Sequence, residues 1–207
     1  MPQLKVCGIT DAAFAVMAAR RGVDYLGFIF AKGSPRHVSA EKARAIAEAV
    51  RAAVPRSPRF VGVFVGTPAD EAADIASSAG LDVIQLHGGY DAEDARTVKA
   101  RGFEVWRLLE GSAETDYAGE DATLVDGRDG SRSGGTGKLA DWSAVGRLKD
   151  VGRRVVLAGG ISPANIKAAV ATGADIIDVN SGIETAPGTK SADLLAALLE
   201  GFTGQQG

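Results

Sequence analysis

The feature that most constrains this chain is a unit that repeats along its whole length. A short apolar run stops at a glycine or polar residue, a helix-forming stretch follows, and a second glycine precedes the next run. The first unit is Leu4-Lys5-Val6-Cys7-Gly8-Ile9-Thr10-Asp11. It reads as a strand that halts at a glycine and passes to a helix over 12–21, which Thr10 or Asp11 caps by accepting its first free N–H groups and Gly22 ends. The further strands are read at 24–30, 59–65, 82–86, 104–108, 122–126, 154–158 and 175–179. Ser39 caps a helix over 40–53, and Thr67-Pro68 opens one running to about Ser78 that Gly80 closes. Further helices are expected at about 91–101, 140–149 and 192–199, and one opened by Ser162-Pro163 runs to about Thr172. The polar stretch 110–121 predicts a short or distorted helix.

Runs such as Val155-Val156-Leu157 are continuously apolar, as expected for strands buried on both faces. None of the strands shows hairpin spacing, so the sequence predicts an α/β fold, a closed parallel (β/α)8 barrel. The alternative, an open doubly wound sheet, lacks a Gly-x-Gly-x-x-Gly fingerprint after strand one. With 207 residues and 45% apolar composition, residues 1–207 are expected to form one barrel domain, the tail after Phe202 fraying. The single cysteine excludes an internal disulfide framework and suits a reducing cytoplasm. A net charge of −3 supplies no global basic field for nucleic acid or an anionic membrane. The amino terminus has no signal-peptide pattern, and no apolar run approaches the roughly 20 residues of a membrane span. One cysteine and two histidines form no metal-ligand cluster. Barrels of this size occur as monomers and as homodimers, and the sequence leaves both open.

In such barrels the carboxyl ends of the strands carry the ligand site, with phosphate commonly held by the loops after strands seven and eight. Here those loops contain Gly159-Gly160 and Asn180-Ser181-Gly182, where a short helix near Ser181 would add its positive end. Gly135, within Gly134-Gly135-Thr136-Gly137 after strand six, closes a third side. Sugar chemistry needs an acid and a base on opposite sides of the substrate. Cys7 on strand one and Asp126 on strand six are the candidates, and Asp178 on strand eight is a second inward carboxylate. Each also has a plain reading: a buried thiol, a loop cap, a loop brace. Arg36, in Ser34-Pro35-Arg36-His37, offers a fork for a carboxylate. Gln85 and His87 share one side of strand four and can donate to a hydroxyl or carboxylate. Lys5 faces the same side as Cys7, one layer deeper, and a desolvated lysine there would permit Schiff-base chemistry. A lyase using Lys5, or a barrel that binds a phosphorylated ligand without turnover, therefore stands beside an acid–base enzyme.

Taken together these stretches resemble the phosphoribosylanthranilate isomerase family of tryptophan biosynthesis. The resemblance rests on Lys5-Val6-Cys7-Gly8-Ile9-Thr10, Gly27-Phe28-Ile29-Phe30 with Ser34-Pro35-Arg36, Val61-Gly62-Val63-Phe64-Val65 and Gln85-Leu86-His87-Gly88. It continues through Asp126, Gly134–Gly137, Asp141-Trp142, Leu157-Ala158-Gly159-Gly160-Ile161 and Asp178-Val179-Asn180-Ser181-Gly182-Ile183-Glu184. It implies a cofactor-free aldose–ketose isomerase, with Asp126 protonating the furanose oxygen, Cys7 taking the C2′ proton and Arg36 contacting the anthranilate carboxylate. Ser191 stands where the family often has aspartate, and Ala140 where an aromatic is common.

Overall fold

The computed structural model describes residues 1–109, 119–127 and 142–203. Eight strands are hydrogen-bonded in chain order into a closed barrel, each parallel to its neighbours. They are β1 (Gln3–Val6), β2 (Tyr25–Ile29), β3 (Arg59–Phe64), β4 (Val83–Leu86), β5 (Glu104–Leu108), β6 (Ala122–Asp126), β7 (Val155–Ala158) and β8 (Ile176–Val179). Closure is made by β1 against β8, with Lys5 opposite Asp178 and Val6 opposite Val179. The helices are α1 (Ala12–Arg20), α2 (Ala40–Ala53), α3 (Ala69–Ala79), α4 (Ala92–Ala100), α5 (Ser143–Asp150), α6 (Ile166–Ala171) and α7 (Ala192–Thr203). Among the described residues no helix is long and apolar enough to cross a membrane.

The two-residue period of a strand sorts the side chains into two cores. Leu4, Val6, Leu26, Phe28, Ile84, Val125, Ile177 and Val179 face outward into the main core beneath the helices. Tyr25, Val61, Val83, Trp106, Leu124, Val156 and Ile176 fill the barrel interior. Both faces are dry, which is why the strands read as unbroken apolar runs. Small residues bring the helices close: α3 buries only alanines, Ala69, Ala72, Ala73, Ala76 and Ala79. Asp11 and Ser39 cap α1 and α2, as their sequence positions predict.

A four-fold pattern closes the amino-terminal end. One residue before each even strand stands an aspartate whose carboxylate accepts from a backbone N–H of the preceding odd strand. Asp24 accepts from Leu4 (2.9 Å), Asp82 from Phe60 (2.7 Å), Asp121 from Val105 (2.8 Å) and Asp175 from Val155 (2.7 Å). Inside that ring, Arg154 donates to Gln3 (2.9 Å), the Tyr25 hydroxyl (2.8 Å) and Glu104 (2.8 Å), and Arg59 also pairs with Glu104. Trp106 donates its Nε1–H to the same carboxylate at 2.7 Å and meets Tyr25 edge-on, with centroids 5.0 Å apart.

The structure corrects several boundaries and one topological expectation. The chain does contain a hairpin: β9 (Glu184–Ala186) and β10 (Thr189–Lys190) pair antiparallel after β8. Gly188 in its turn sits at φ +84°. The sixth helix begins at Ile166 rather than directly after Ser162-Pro163, which lead into it through a turn: Ser162 C=O accepts from Ile166 N–H at 3.0 Å and Asn165 Oδ1 accepts from Ser162 N–H at 2.8 Å. The fifth helix begins at Ser143 rather than 140. The last helix runs on to Thr203 instead of ending at 199, with the Thr203 hydroxyl donating to Leu199 C=O at 2.8 Å; the rest of the tail expected to fray, 204–207, lies outside the described residues. Ser191 serves as its cap, accepting from Leu194 N–H at 3.2 Å. The expected short helix at 110–121, apart from 119–121, and the Gly134–Gly137 loop lie outside the described residues.

Candidate active site

At the carboxyl end of the barrel, Cys7, Gln85, His87, Asp126, Asp178 and Asn180 line one cavity of about 280 Å³. Period two explains the gathering: each of these positions continues the inward face of β1, β4, β6 or β8. Backbone bonds fix the emerging chain, from Cys7 N–H to Val179 C=O (2.9 Å) and from His87 N–H to Phe64 C=O (2.9 Å). Gly27 on β2 makes the room that Cys7 needs. A Cβ built there would lie 2.9 Å from Cys7 Sγ and 3.2 Å from Lys5 Cε.

One layer below, Lys5 is fully buried and donates to Asp178 Oδ2 (2.5 Å) and Gln85 Oε1 (2.8 Å). Burial works against its ammonium, but the charges and hydrogen bonds of Asp178 and Cys7 together outweigh it and raise its pKa. An amine held protonated in this way is a poor nucleophile, so the geometry disfavours the Schiff-base alternative. Lys5 is instead the cation beneath Cys7. Asp178 is 6% exposed, and its other oxygen, Oδ1, is buried without a hydrogen-bond partner. A buried acceptor without a partner costs about 1–3 kcal/mol, a cost a ligand hydroxyl would relieve.

Burial pushes the Cys7 thiol above its ordinary pKa of 9.0; the Lys5 charge opposes this, the Asp178 charge adds to it, and Lys190 opposes it. Asp126 and His87 meet across the mouth, with His87 Nε2 3.9 Å from Asp126 Oδ2. Gln85 Nε2 lies 3.4 Å from His87 Nδ1. Gln85 is thereby placed between Lys5 and the imidazole.

Arg36 does not line the cavity; it lies beside it, its Cδ 2.7 Å from where a Gly8 Cβ would be. Its guanidinium is already forked onto Glu184, through Nε at 2.8 Å and Nη2 at 2.5 Å. Lys190 Nζ reaches the same carboxylate at 2.8 Å. Burial pushes the Glu184 carboxyl up, but the hydrogen bonds and charges of Arg36 and Lys190 outweigh this and bring it from 4.5 to about 2. Burial lowers the Lys190 pKa against the pull of Glu184. The sequence reading missed both residues, and the signal was the Pro187-Gly188 turn that makes their strands neighbours.

Gly159, Gly160, Ile161 and Ser181 also line the cavity. Gly159 and Gly160 take φ +89° and +67°, which only glycine adopts without strain, and Asn165 Nδ2 holds the loop by donating to Gly160 C=O at 3.0 Å. Gly182 does not line the cavity; a Cβ there would fall 1.9 Å from Ile161 C=O, so its role is to let the loops after β7 and β8 touch. The expected short helix is a single 3-10 turn, Ser181–Ile183. Gly135 lies outside the described residues. Among the described residues no group of three or more His, Cys, Asp or Glu side chains stands close enough to hold a metal ion.

A closed parallel barrel with the cavity at its carboxyl-terminal mouth defines the chain as a (β/α)8-barrel enzyme. The family model described as N-(5′-phosphoribosyl)anthranilate (PRA) isomerase matches residues 4–201. The N-(5′-phosphoribosyl)anthranilate isomerase of Rubrobacter xylanophilus is 40% identical over 202 residues, covering 94% of this chain and 96% of that one. The crystal structure of the phosphoribosyl anthranilate isomerase of Thermus thermophilus is 37% identical, with a TM-score of 0.84 and 98% of each chain covered. A phosphoribosyl anthranilate isomerase solved in complex with reduced 1-(o-carboxyphenylamino)-1-deoxyribulose 5-phosphate is 31% identical, with a TM-score of 0.82 over 99% of this chain and all of that one. The chain belongs to the N-(5′-phosphoribosyl)anthranilate isomerase family, and so is an isomerase.

Proposed function

We propose that the chain catalyses the cofactor-free Amadori rearrangement of N-(5′-phosphoribosyl)anthranilate to 1-(2-carboxyphenylamino)-1-deoxy-D-ribulose 5-phosphate, in L-tryptophan biosynthesis. Asp126 is the general acid and Cys7 the general base. The observation that carries the reading is that these two residues, from β1 and β6, line one cavity. Asp126 gives its proton to the furanose oxygen as the C1′–O bond breaks and the nitrogen lone pair forms the iminium. Cys7 then takes the C2′ proton, and the C–H electron pair makes the enolamine while quenching the iminium. Protonation at C1′ and loss of the C2′ hydroxyl proton give the ketone.

The raised thiol pKa fits this order. In the empty site the thiol keeps its proton. Once the ring opens, the iminium brings a positive charge close to the sulfur and favours the thiolate only when a proton must be taken. The open Oδ1 of Asp178 accepts from a sugar hydroxyl. The backbone N–H groups of Gly159, Gly160 and Ser181, which line the cavity, receive the phosphate. Arg36 meets the anthranilate carboxylate, with His87 and Gln85 beside the ring-opening acid.

Loss of anthranilate fluorescence on adding the protein to freshly generated phosphoribosylanthranilate tests the activity. Rapid enzyme-dependent loss is expected. A protein that binds the reduced product analogue but leaves the fluorescence unchanged would refute the reading in favour of a binding barrel.

A further inference from the structure

We propose that Glu184, held by Lys190, is a positioning residue that presents one edge of Arg36 to the substrate's aryl carboxylate. The hairpin after β8 would then decide how strongly the barrel prefers a carboxylated amine. The inference rests on Arg36 being the carboxylate anchor, and it extends that reading to two residues the acid–base chemistry does not use.

A guanidinium is a rigid plane with five N–H donors, so fixing one edge fixes the other. Glu184 takes Nε–H and one Nη2 N–H of Arg36. What remains is the fork formed by Nη1 and the outer Nη2 N–H, which matches a second carboxylate bidentately. Among the described residues no other acceptor takes these groups. An arginine on a loop would otherwise lose rotamer freedom when the substrate arrives; here Glu184 has ordered it beforehand.

A lone Arg–Glu pair is neutral and would give an incoming carboxylate little reason to stay. Lys190 changes that balance, since two cations share one carboxylate and the cluster stays net positive. Both Glu184 and Lys190 side chains are only 3% exposed, so water screens little of this field. With a pKa of about 2, Glu184 remains ionised throughout the working range.

Lys190 also donates to Asn180 C=O (3.0 Å) and Oδ1 (2.8 Å), and Asn180 lines the cavity. Thr10 Oγ1 donates to Gly188 C=O at 3.2 Å, and a Cβ on Gly188 would lie 2.9 Å from Pro35 C=O. The hairpin thereby ties together the loop bearing Arg36, the loop after Cys7 and the end of β8.

The test compares kcat/KM for phosphoribosylanthranilate and for its N-phenyl analogue, which lacks the carboxylate, in wild type, Glu184→Gln, Glu184→Asp and Lys190→Met. Glu184→Gln should lower kcat/KM for the carboxylated substrate by roughly 30-fold, chiefly through KM, and for the phenyl analogue by less than about threefold. Lys190→Met should act in the same direction by about tenfold, and Glu184→Asp should restore part of the preference. Equal losses on both substrates, or none, would overturn the proposal. If Glu184→Gln fails to fold, Lys190→Met decides the matter alone. A wild type that turns over neither substrate would sink the isomerase reading itself; an active wild type indifferent to the carboxylate would sink only the role of Arg36 and Glu184.

Discussion

The two ends of the barrel are built from the same strands under opposite rules. At the amino-terminal end four aspartates cap four strands, and Glu104 is shared by Arg59, Arg154 and Trp106. At the carboxyl-terminal end a carboxylate oxygen is left open, a thiol is held above its ordinary pKa, and two cations crowd one carboxylate. The difference teaches where stability and reactivity were placed. Groups whose bonds are complete hold the barrel closed, and groups whose bonds are incomplete await a ligand.

The comparison breaks most visibly if a residue of the closed end is removed. Trp106→Ala should cost about 3–5 kcal/mol, because it empties the interior and strips Glu104 of a donor. Urea unfolding measures this, and the variant that remains folded should keep wild-type KM. A KM change comparable to the stability loss would show that the two ends are not separable.

The open end should reveal itself in acid. Glu184 has a folded pKa of about 2 against an ordinary 4.5, so its contribution is complete above about pH 4.5 and fades as pH falls towards 2. The difference in unfolding free energy between wild type and Glu184→Gln should shrink by about 2–3 kcal/mol between pH 6 and pH 2. A difference that is flat with pH would contradict the pairing.

Gly27→Ala sharpens the comparison at one atom, because the added methyl meets Cys7 Sγ at 2.9 Å. A displaced base should cost roughly tenfold in kcat with a smaller effect on KM. Unchanged kcat would mean that the thiol position does not matter. The smallest effect is expected from Asp82→Asn, which weakens a single charge-assisted bond to Phe60 N–H and should cost about 1 kcal/mol with kcat/KM unaltered.

The barrel was legible because its two determinants are local. Short apolar runs marked strands buried on both faces, and glycines and caps marked the junctions, so β5 and β6 fall at the boundaries expected. The inward positions of Cys7, Gln85, His87, Asp126 and Asp178 followed from period two and strand ends. What escaped were features that depend on contacts distant in sequence. The β9–β10 hairpin is two short strands around Pro187-Gly188, too brief for any alternation to show, and with it went the partners of Arg36. Three of the four capping aspartates read as ordinary strand starts and Asp121 as the end of the polar stretch 110–121, since their acceptor role is visible only when each is set against the preceding strand. Gly27 read as part of a motif, although its lack of a side chain is what accommodates Cys7.

The central claim is that Cys7 and Asp126 divide the proton transfers between them. The most direct measurement is turnover of phosphoribosylanthranilate by Cys7→Ser and Asp126→Asn, each first shown to be folded by its unfolding curve. Both should bind the reduced product analogue with near wild-type affinity while kcat falls by at least about a hundredfold. Full activity in the Cys7 variant would contradict the account and move the base to Asp178.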